Sequence, residues 1–387
     1  MSASRTRVAL MGATGSIGTQ TLDVLRREPD RFELVSLAGG RRLAELAAIV
    51  SEFRVRRVAV NDDAARRELA PLVDPGVEVV TGDAGLRELA SDADVVVNAV
   101  MGFAGLPVTL ATLEAGSRLA LANKESLVAA APVVARVRST PGAEIWPVDS
   151  EHCAIHQCLA GSTRTGHPDV AKLWVTASGG PFRGWSAQRL RGVTKAEALA
   201  HPTWSMGPKI TIDSSTLMNK GLEVLEASAL FEIEVDRIDV VVHPTSVVHS
   251  MVEYVDGSVL AQLSRPDMRL PIAYCLGAPT RLAHHWGRLD FSQSLHLAFE
   301  PPDRDAFPAL DLAYAAARRA GAAPAWLSAA NEVAVEAFLE DRIAWSDIVA
   351  VVAATMDHYE DDPLDSVEAV VENDARARRI AHGNLPS

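Results

Sequence analysis

Two carboxylates and a hydroxyl stand close together near the middle of the chain. They are Asp149, Ser150 and Glu151, and they follow the short strand-like run Ala143–Trp146. Two acids this close repel each other unless a cation lies between them. If a strand ends at Asp149 and a helix begins at Ser150, both carboxylates lie at the carboxyl edge of a sheet, where open α/β sheets bind ligands. Carboxylate oxygens with room for water or substrate suit Mg²⁺ or Mn²⁺ better than zinc.

The same residues also fit the start of a helix without any metal, because Ser150 is a good N-cap and acids favour the first turn. A second stretch favours the metal. Asp213–Glu226 is predicted to be one capped helix in which Asn219, Lys220 and Glu223 share a face. The rest of that helix is apolar, and burying three polar side chains costs free energy unless they have partners. A third carboxylate for the metal, with a cation and an amide for an anionic substrate, would supply those partners.

Glycines near the N-terminus have the spacing of a dinucleotide site. Gly12, Gly15 and Gly18 follow the strand-like Arg7–Met11 and precede the helical pattern Thr21–Leu25. In that context glycines let the backbone approach a pyrophosphate at a helix N-terminus. The spacing G-x-x-G-x-x-G is a variant of the usual form, so an ordinary strand-to-helix turn is the alternative.

The end of the second predicted strand, Phe32–Ala38, indicates which nucleotide binds. NAD-binding proteins carry an acid there for the ribose 2′-hydroxyl, whereas this chain has Gly39, Gly40, Arg41 and Arg42. An arginine suits a 2′-phosphate. We therefore predict NADPH rather than NADH, with Arg41 as the first choice for the contact and Arg42 as the second.

Three further segments place polar groups after strands or between helix-breaking residues. Asn123–Glu125 end a predicted strand, where a solvated helix cap would explain them equally well. Ser178–Pro181 follow another, and their amides and hydroxyl could cradle an anion, with a simple tight turn as the alternative. His201–Pro208 contain a Trp and a Met without periodicity. This segment is predicted to be a lid that excludes water, or else a loop that packs on its domain.

The elements that would position these groups change along the chain. Short Val-rich runs alternate with helix-length segments up to Asp149, which is typical of a buried parallel sheet. Strands and a hairpin follow, then a proline-rich stretch, then four Ala-rich helical segments. The predicted fold is α/β, with an N-terminal Rossmann-like parallel sheet, an α+β connective and catalytic domain and a small C-terminal α-helical bundle. The predicted parts are an NADPH-binding domain at 1–149, a connective domain at 150–278, a linker at 279–308 and a helical domain at 309–387.

Length and composition exclude several classes of partner. The chain has 387 residues, enough for two or three domains, and 48% hydrophobic residues, enough for real cores. A net charge of −13 argues against nucleic acid or an anionic membrane as a partner. The first residues lead directly into a strand-like run and no apolar run would span a bilayer, so a cytoplasmic protein is expected. Three cysteines without C-x-x-C spacing are predicted to be reduced and mostly buried.

Six ordered blocks of the sequence closely resemble the 1-deoxy-D-xylulose 5-phosphate reductoisomerase family. They are Gly12–Gly18, Ala122–Ser126, Val148–His152, Thr176–Arg183, His201–Gly207 and Met218–Glu223. The resemblance implies a bacterial homodimer with dimer contacts in the connective domain. It also implies the NADPH- and metal-dependent rearrangement and reduction of 1-deoxy-D-xylulose 5-phosphate to 2-C-methyl-D-erythritol 4-phosphate, on the methylerythritol phosphate route to isoprenoids. Phosphonate hydroxamates would then be inhibitors.

Carried over by position, the resemblance implies overlapping sets of site residues. Mg²⁺, Mn²⁺ or Co²⁺ would be held by Asp149, Glu151 and Glu223. The substrate would be bound by Lys124, Ser150, Glu151, Ser178, His201, Trp204, Ser214, Asn219, Lys220 and Glu223, with its phosphate on Ser178, Ser214, Asn219 and Lys220. The catalytic residues would be Lys124, Asp149, Glu151, His201 and Glu223. NADPH would meet Thr14, Gly15, Ser16, Ile17, Gly39, Gly40, Arg41, Asn123, Glu125, Met206 and Gly207. Family members often have Lys or Asn where this chain has Gly40 and Arg41.

Two other functions fit parts of the sequence. A plain NADPH-dependent semialdehyde or homoserine-type dehydrogenase shares the N-terminal dinucleotide fold, but it would not need Asp149, Glu151 and Glu223 together. A non-catalytic NADP-sensing protein is permitted by the first domain alone. Activity in excess chelator would favour the dehydrogenase, and the absence of metal-dependent NADPH oxidation would favour the sensor.

Overall fold

The computed structural model describes residues 4–160, 167–204, 206–283 and 285–386. Ser205 of the predicted lid lies outside the described residues. The chain divides into two compact units. The first contains 1–126, 134–149 and 267–286, and the second contains 127–133, 150–266 and 287–387.

Strands and helices alternate through the first part of the chain, as the sequence predicts. The strands are β1 (Thr6–Met11), β2 (Phe32–Ala38), β3 (Arg57–Val60), β4 (Glu78–Thr81), β5 (Val95–Asn98), β6 (Arg118–Leu121), β7 (Glu144–Pro147), β8 (Val170–Ala177), β9 (Ile238–Val242), β10 (Val248–Tyr254) and β11 (Val259–Leu263). The helices are α1 (Ser16–Arg27), α2 (Leu43–Phe53), α3 (Asp63–Leu69), α4 (Gly82–Ala90), α5 (Leu106–Glu114), α6 (Lys124–Val137), α7 (Ser150–Leu159), α8 (Ala187–Leu190), α9 (Lys195–Ala198), α10 (Pro208–Ser215), α11 (Met218–Phe231), α12 (Arg269–Gly277), α13 (Ala309–Arg319), α14 (Ala323–Leu339), α15 (Trp345–Met356) and α16 (Val367–Gly383).

The first unit is built on a parallel sheet in the order β4-β3-β2-β1-β5-β6-β7. Successive side chains of a strand point to opposite faces. In β1, Val8 and Leu10 therefore join one buried cluster while Ala9 and Met11 join the other. Because both faces are covered, the Val-rich runs have no polar alternation. The predicted Rossmann-like parallel sheet is confirmed.

The second unit contains a mixed sheet in the order β11-β10-β8-β9. β10 pairs antiparallel with β8 and β11, whereas β8 and β9 are parallel. The predicted hairpin forms between β10 and β11, and helices α13 to α16 form at the four Ala-rich segments. The α+β part and the C-terminal helices are therefore confirmed. No helix among the described residues is long and apolar enough to cross a membrane.

One helix differs from the expectations, and the two units divide the later helices between them. The stretch 213–226, predicted as one helix, is divided between α10 and α11, because Leu217 adopts a left-handed backbone with φ of 62°. Helix α12 belongs to the first unit, where Ile272, Cys275 and Leu276 complete a core cluster beneath the parallel sheet. Helices α13 to α16 belong to the second unit. The predicted four-part domain division stays a prediction.

Candidate active site

The glycine turn after β1 is packed too tightly against neighbouring backbone to carry side chains at two of its positions. Gly12 has a φ of +92°, and a Cβ there would lie 2.3 Å from the Ala99 carbonyl oxygen. A Cβ on Gly18 would lie 2.3 Å from the carbonyl oxygen of Gly12. Only hydrogen fits at either position. The turn lies between β2 and β5 on either side of β1, where the direction of the chain through the sheet reverses and such sheets bind nucleotides.

Helix α1 begins at this turn without a side-chain cap. Gly15 is the N-cap residue and forms no side-chain hydrogen bond, and the first turn contains no acidic residue. The exposed Ser16 and the half-buried Ile17 follow it. The amides of a first turn carry partial positive charge and attract anions. These residues therefore fit the pyrophosphate of a dinucleotide.

Two arginines follow β2, and they differ in their contacts with the rest of the protein. Arg42 donates a hydrogen bond to the Thr14 carbonyl oxygen and lies 3.2 Å from the Glu45 carboxylate. Arg41 is exposed and forms no hydrogen bond or ion pair within the described residues. Gly39 is buried and Gly40 is half-buried beside them. Arg41 is therefore the arginine that can turn to a ligand without losing an existing contact.

The segment after β6 forms a buried helix cap. Asn123 accepts a hydrogen bond from the Ser126 amide at 3.0 Å and donates to the Val100 and Gly102 carbonyls at 2.6 and 2.7 Å. The alternative, a solvated helix cap, is therefore correct in that Asn123 caps the helix. It is wrong in that Asn123 is buried, with only 2% of its surface exposed. Glu125, in the first turn of α6, is also buried. A contact of either residue with NADPH stays a prediction.

Lys124 and Asp149 form a buried ion pair in the first unit. The Lys124 Nζ lies 2.6 Å from the Asp149 Oδ2, and their side chains are 6% and 10% exposed. Lys124 begins α6 after β6, and Asp149 follows β7, so both stand at carboxyl ends of neighbouring parallel strands. Burying an unpaired charge here would be costly, and each group neutralises the other.

In the second unit one lysine holds two carboxylates. Lys220 Nζ lies 2.7 Å from Glu151 Oε1 and also contacts Glu223 Oε2. Asn219 donates to Glu223 Oε1 at 2.5 Å, and the Ser150 hydroxyl donates to Glu151 Oε2 at 2.5 Å. Lys220 and Glu223 are 4% and 1% exposed. Carboxylates held close together in a poorly solvated place favour a bound cation.

The helix-start alternative for Asp149–Glu151 is partly correct. Helix α7 begins at Ser150 as predicted, although β7 already ends at Pro147. The Ser150 hydroxyl donates to the adjacent carboxylate. The carboxylate oxygens of Asp149, Glu151 and Glu223 are the hard ligands that divalent ions such as Mg²⁺ prefer, so these residues fit the predicted metal.

A buried histidine that the predicted site did not include holds α7 against α11. His152 Nδ1 lies 3.0 Å from the Glu226 carboxylate, and His152 Nε2 lies 2.9 Å from the Glu223 carbonyl oxygen. His152 is 0% and Glu226 1% exposed. The signal in the sequence was a second acid, Glu226, on an otherwise buried helix, because such an acid needs a partner. This contact fixes the helices that carry Glu151 and Glu223.

His201 connects the predicted lid to the turn after β8. Its Nδ1 accepts hydrogen bonds from the amides of Thr203 and Trp204 at 3.1 and 2.9 Å. Its Nε2 therefore carries the hydrogen and donates to the Ser178 hydroxyl at 3.1 Å. The Gly180 amide also donates to that hydroxyl at 3.3 Å. Burial lowers the pKa of His201 to about 4, so the ring is neutral at pH 7.

The second predicted phosphate serine lies against the same turn. Ser214 is in the last turn of α10, and Gly180 packs on its backbone with a φ of +66°. A Cβ on Gly180 would lie 2.5 Å from the Ser214 carbonyl oxygen. The fold therefore brings the turn that begins at Ser178 against the backbone of Ser214, although 35 positions separate the two serines in the sequence. The alternative of a tight turn at Ser178–Pro181 is compatible with this arrangement, because the turn allows Gly180 to lie against the backbone of Ser214.

The remaining loop residues lie before α10. The Trp204 ring is half-buried with its centroid 6.3 Å from that of His249. Met206 is half-buried, and Gly207 is the N-cap residue of α10 with open space where a Cβ would lie. A lid function and contacts with NADPH stay predictions for this loop.

Comparison with known proteins identifies one family throughout the chain. The family model described as 1-deoxy-D-xylulose 5-phosphate reductoisomerase matches residues 8–131, and models of its C-terminal domains match residues 145–231 and 263–380. A curated 1-deoxy-D-xylulose 5-phosphate reductoisomerase from Desulfitobacterium hafniense is 48% identical, covering 96% of this chain and 97% of the relative. One from Anaeromyxobacter dehalogenans is 51% identical, covering 97% of this chain and 96% of the relative.

Solved structures agree over the same length. A crystal structure of a DOX-P reductoisomerase in complex with NADPH, fosmidomycin and magnesium superposes with a TM-score of 0.93 at 42% identity, covering 98% of both chains. The enzyme from Zymomonas mobilis in complex with NADPH gives a TM-score of 0.91 at 41% identity, covering 99% of this chain and all of the other.

Proposed function

The chain belongs to the 1-deoxy-D-xylulose 5-phosphate reductoisomerase family, and from that premise we propose that it converts 1-deoxy-D-xylulose 5-phosphate to 2-C-methyl-D-erythritol 4-phosphate with NADPH and a divalent metal ion. The observation that carries this function is the lysine–carboxylate cluster of Lys220 with Glu151 and Glu223. A plain dehydrogenase has no need of such a cluster. The product supplies the methylerythritol phosphate route to isoprenoids.

We propose that Asp149, Glu151 and Glu223 hold the ion, which is Mg²⁺, Mn²⁺ or Co²⁺. The metal-bound relative described above supports the choice of a divalent ion. Such an ion polarises a carbonyl as a Lewis acid and acidifies a neighbouring hydroxyl. In this protein the Lys124 ammonium contacts Asp149, and the Lys220 ammonium contacts Glu151 and Glu223. A cation on the carboxylates would leave both ammonium groups able to donate to substrate oxygens.

The substrate phosphate is proposed to bind Ser178, Ser214, Asn219 and Lys220. The support is the close approach of the Ser178 turn to Ser214 and the position of Asn219 and Lys220 at the start of α11. Ser150 and Lys124 would complete the substrate site. Because Ser178 already accepts a hydrogen bond from His201, its own hydroxyl hydrogen remains available for a phosphate oxygen.

NADPH is proposed to lie on the glycine turn, where it would supply the hydride. The backbone at Thr14, Gly15, Ser16 and Ile17 would hold the pyrophosphate, in agreement with the uncapped start of α1. Arg41, beside Gly39 and Gly40, would bind the 2′-phosphate. Asn123, Glu125, Met206 and Gly207 complete the proposed set. The NADPH complex of the Zymomonas mobilis enzyme supports this cofactor.

The loop from His201 to Gly207 is proposed to close over the substrate with Trp204. Neutral His201 accepts hydrogen bonds from the amides of Thr203 and Trp204 and donates one to Ser178. A movement of the loop would therefore also change the contact of His201 with Ser178. Closure would exclude water from the reaction.

The oligomeric state, the location and the inhibitors are proposed from the family. We propose a homodimer with contacts in the part at 150–278, a bacterial cytoplasmic location and inhibition by phosphonate hydroxamates. The relative bound to fosmidomycin supports the last of these.

The decisive assay is NADPH oxidation with purified protein and 1-deoxy-D-xylulose 5-phosphate, measured with Mg²⁺ and with excess chelator. We expect turnover that depends on both the substrate and the metal, with 2-C-methyl-D-erythritol 4-phosphate as the product by mass spectrometry. Equal turnover in chelator would favour the plain dehydrogenase. NADPH binding without any oxidation would favour the sensor.

A further inference from the structure

Two C-terminal helices hold the residues on either side of Ser214. Asp213 accepts a hydrogen bond from Asn331 Nδ2 of α14 at 2.7 Å. The Ser215 hydroxyl accepts one from Trp345 Nε1, at the start of α15, at 2.8 Å. Asp213, Ser215 and Asn331 are all at most 1% exposed, so water cannot replace these contacts. Both neighbours of a proposed phosphate ligand are therefore tied to the C-terminal helices.

Trp345 also reaches the other serine-bearing segment. Its ring meets the ring of Phe182 edge-on, with centroids 5.5 Å apart and planes at 84°. Phe182 is 1% exposed and directly follows the turn Ser178–Pro181. An edge-to-face pair of this kind has a defined geometry as well as apolar contact. One indole therefore touches the segment of Ser178 through its ring and the segment of Ser214 through its N–H.

We propose that Trp345, supported by Asn331, is a positioning residue that sets the spacing of Ser178 and Ser214 and thereby the affinity for the substrate phosphate. The inference rests on the proposed phosphate site. The neighbours of Ser214 form the contacts with the C-terminal helices, whereas its own hydroxyl has no hydrogen bond to any residue that the structure describes and can bind the ligand. A displacement of about 1 Å between binding groups is enough to matter, because hydrogen bonds weaken steeply outside their preferred distances.

The chain offers a matched control for a purely structural role of Trp345. Trp326 is a second buried tryptophan in the same group of helices, and its Nε1 donates to Asn373 Oδ1 at 2.9 Å. Its ring meets Tyr359 at 5.4 Å, again edge-on. Trp345→Phe and Trp326→Phe thus each remove one buried indole donor and keep an aromatic ring. Only the first removes a contact with α10.

The test compares KM values in the two variants, each with Mg²⁺ and saturating cosubstrate. Trp345→Phe is expected to raise KM for 1-deoxy-D-xylulose 5-phosphate about 10-fold, because a displaced serine binds the phosphate less well, while KM for NADPH changes less than about twofold. Trp326→Phe is expected to lower the melting temperature comparably and to leave both KM values unchanged. Equal substrate KM values in the two variants, or a parallel rise of KM for NADPH, would overturn the proposal.

A second pair covers the case in which Trp345→Phe does not fold. Asn331→Leu removes the donor to Asp213, and Asn373→Leu removes a buried amide that bonds only within the C-terminal helices among the described residues. Asn331→Leu should raise the substrate KM, and Asn373→Leu should not.

Ser214→Ala distinguishes a failure of the proposed phosphate site from a failure of the proposed positioning role. If it raises the substrate KM while Trp345→Phe and Asn331→Leu match their controls, the phosphate site stands and the positioning role is wrong. If it does not, the phosphate site fails and the positioning role fails with it.

Discussion

The proposed NADPH site and the proposed metal and substrate site differ in the groups that would bind charge: main-chain amides in the first and charged side chains in the second. At the glycine turn of the first unit, the groups proposed to face the anion are main-chain amides, and Gly12 and Gly18 have no space for a Cβ. In the second unit, charged side chains form the proposed site, with Lys220 in contact with Glu151 and Glu223. The first region depends on close backbone packing and the second depends on side-chain charge.

This difference determines which substitutions each region tolerates. A backbone site should be insensitive to the loss of a side chain and sensitive to the addition of one. A side-chain site should show the opposite behaviour, because removing one charge leaves its partner buried and uncompensated. The following predictions test that contrast.

The largest effect is expected for Glu223→Gln, which keeps the shape of the side chain and removes its charge. Lys220 then balances only Glu151, and the proposed metal loses an anionic ligand. Since loss of a group that merely orients a ligand costs about 10–100-fold, we expect kcat/KM to fall by about 100-fold or more. Steady-state kinetics across a Mn²⁺ series would measure it. Glu336→Gln, an exposed acid on α14, is the control and should match the parent; a Glu223→Gln enzyme that also matches would refute the metal assignment.

A slightly smaller effect, confined to the nucleotide, is expected for Gly18→Ala. The added Cβ would lie 2.3 Å from the Gly12 carbonyl oxygen, so the turn must move. We expect the Kd for NADPH, measured by fluorescence titration, to rise roughly 10- to 100-fold, with Mn²⁺ binding unchanged. Gly76→Ala is the matched control, because its Cβ would meet no atom within 4 Å. Normal NADPH affinity in Gly18→Ala would mean that the turn does not hold the cofactor.

Arg41→Ala tests the side chain that is proposed to bind the 2′-phosphate of NADPH. The loss of a charge-assisted contact at an exposed position should raise KM for NADPH about 10-fold and leave the weak use of NADH unchanged. Parallel assays with the two cofactors measure the difference. An unchanged KM for NADPH would move the 2′-phosphate contact to Arg42 or reject it.

The smallest effect concerns pH at the side-chain site. Burial lowers the pKa of His201 from 6.5 to about 4, so the described loop conformation binds a proton less readily than a conformation in which His201 is exposed to water. The described conformation therefore keeps its full stability above pH 6.5 and loses it as the pH falls towards 4. Hydrogen-exchange protection of the Thr203 and Trp204 amides should fall by at most about tenfold between pH 6.5 and 5, because the ring is only partly buried. The same profile in His201→Gln would show that another group is responsible.

Features that depend on neighbouring residues could be predicted from the sequence, whereas contacts between distant elements could not. The glycine turn was predictable because strand, turn and helix are consecutive, and the four C-terminal helices because their pattern is local. The break at Leu217 was not, since its left-handed backbone is unusual for leucine and arises from packing. Nor could sequence spacing show that His152 would meet Glu226, or that Trp345 would meet Ser215, because those contacts join distant elements.

We propose above all that Asp149, Glu151 and Glu223 bind one divalent ion. The most direct test of this proposal is Mn²⁺ binding to the parent and to Asp149→Asn, measured from the electron paramagnetic resonance signal of free Mn²⁺, with no substrate present. We predict one site per chain in the parent and a Kd at least about 10-fold higher in the variant, with unchanged NADPH affinity. Identical Mn²⁺ isotherms for the two proteins would contradict the account.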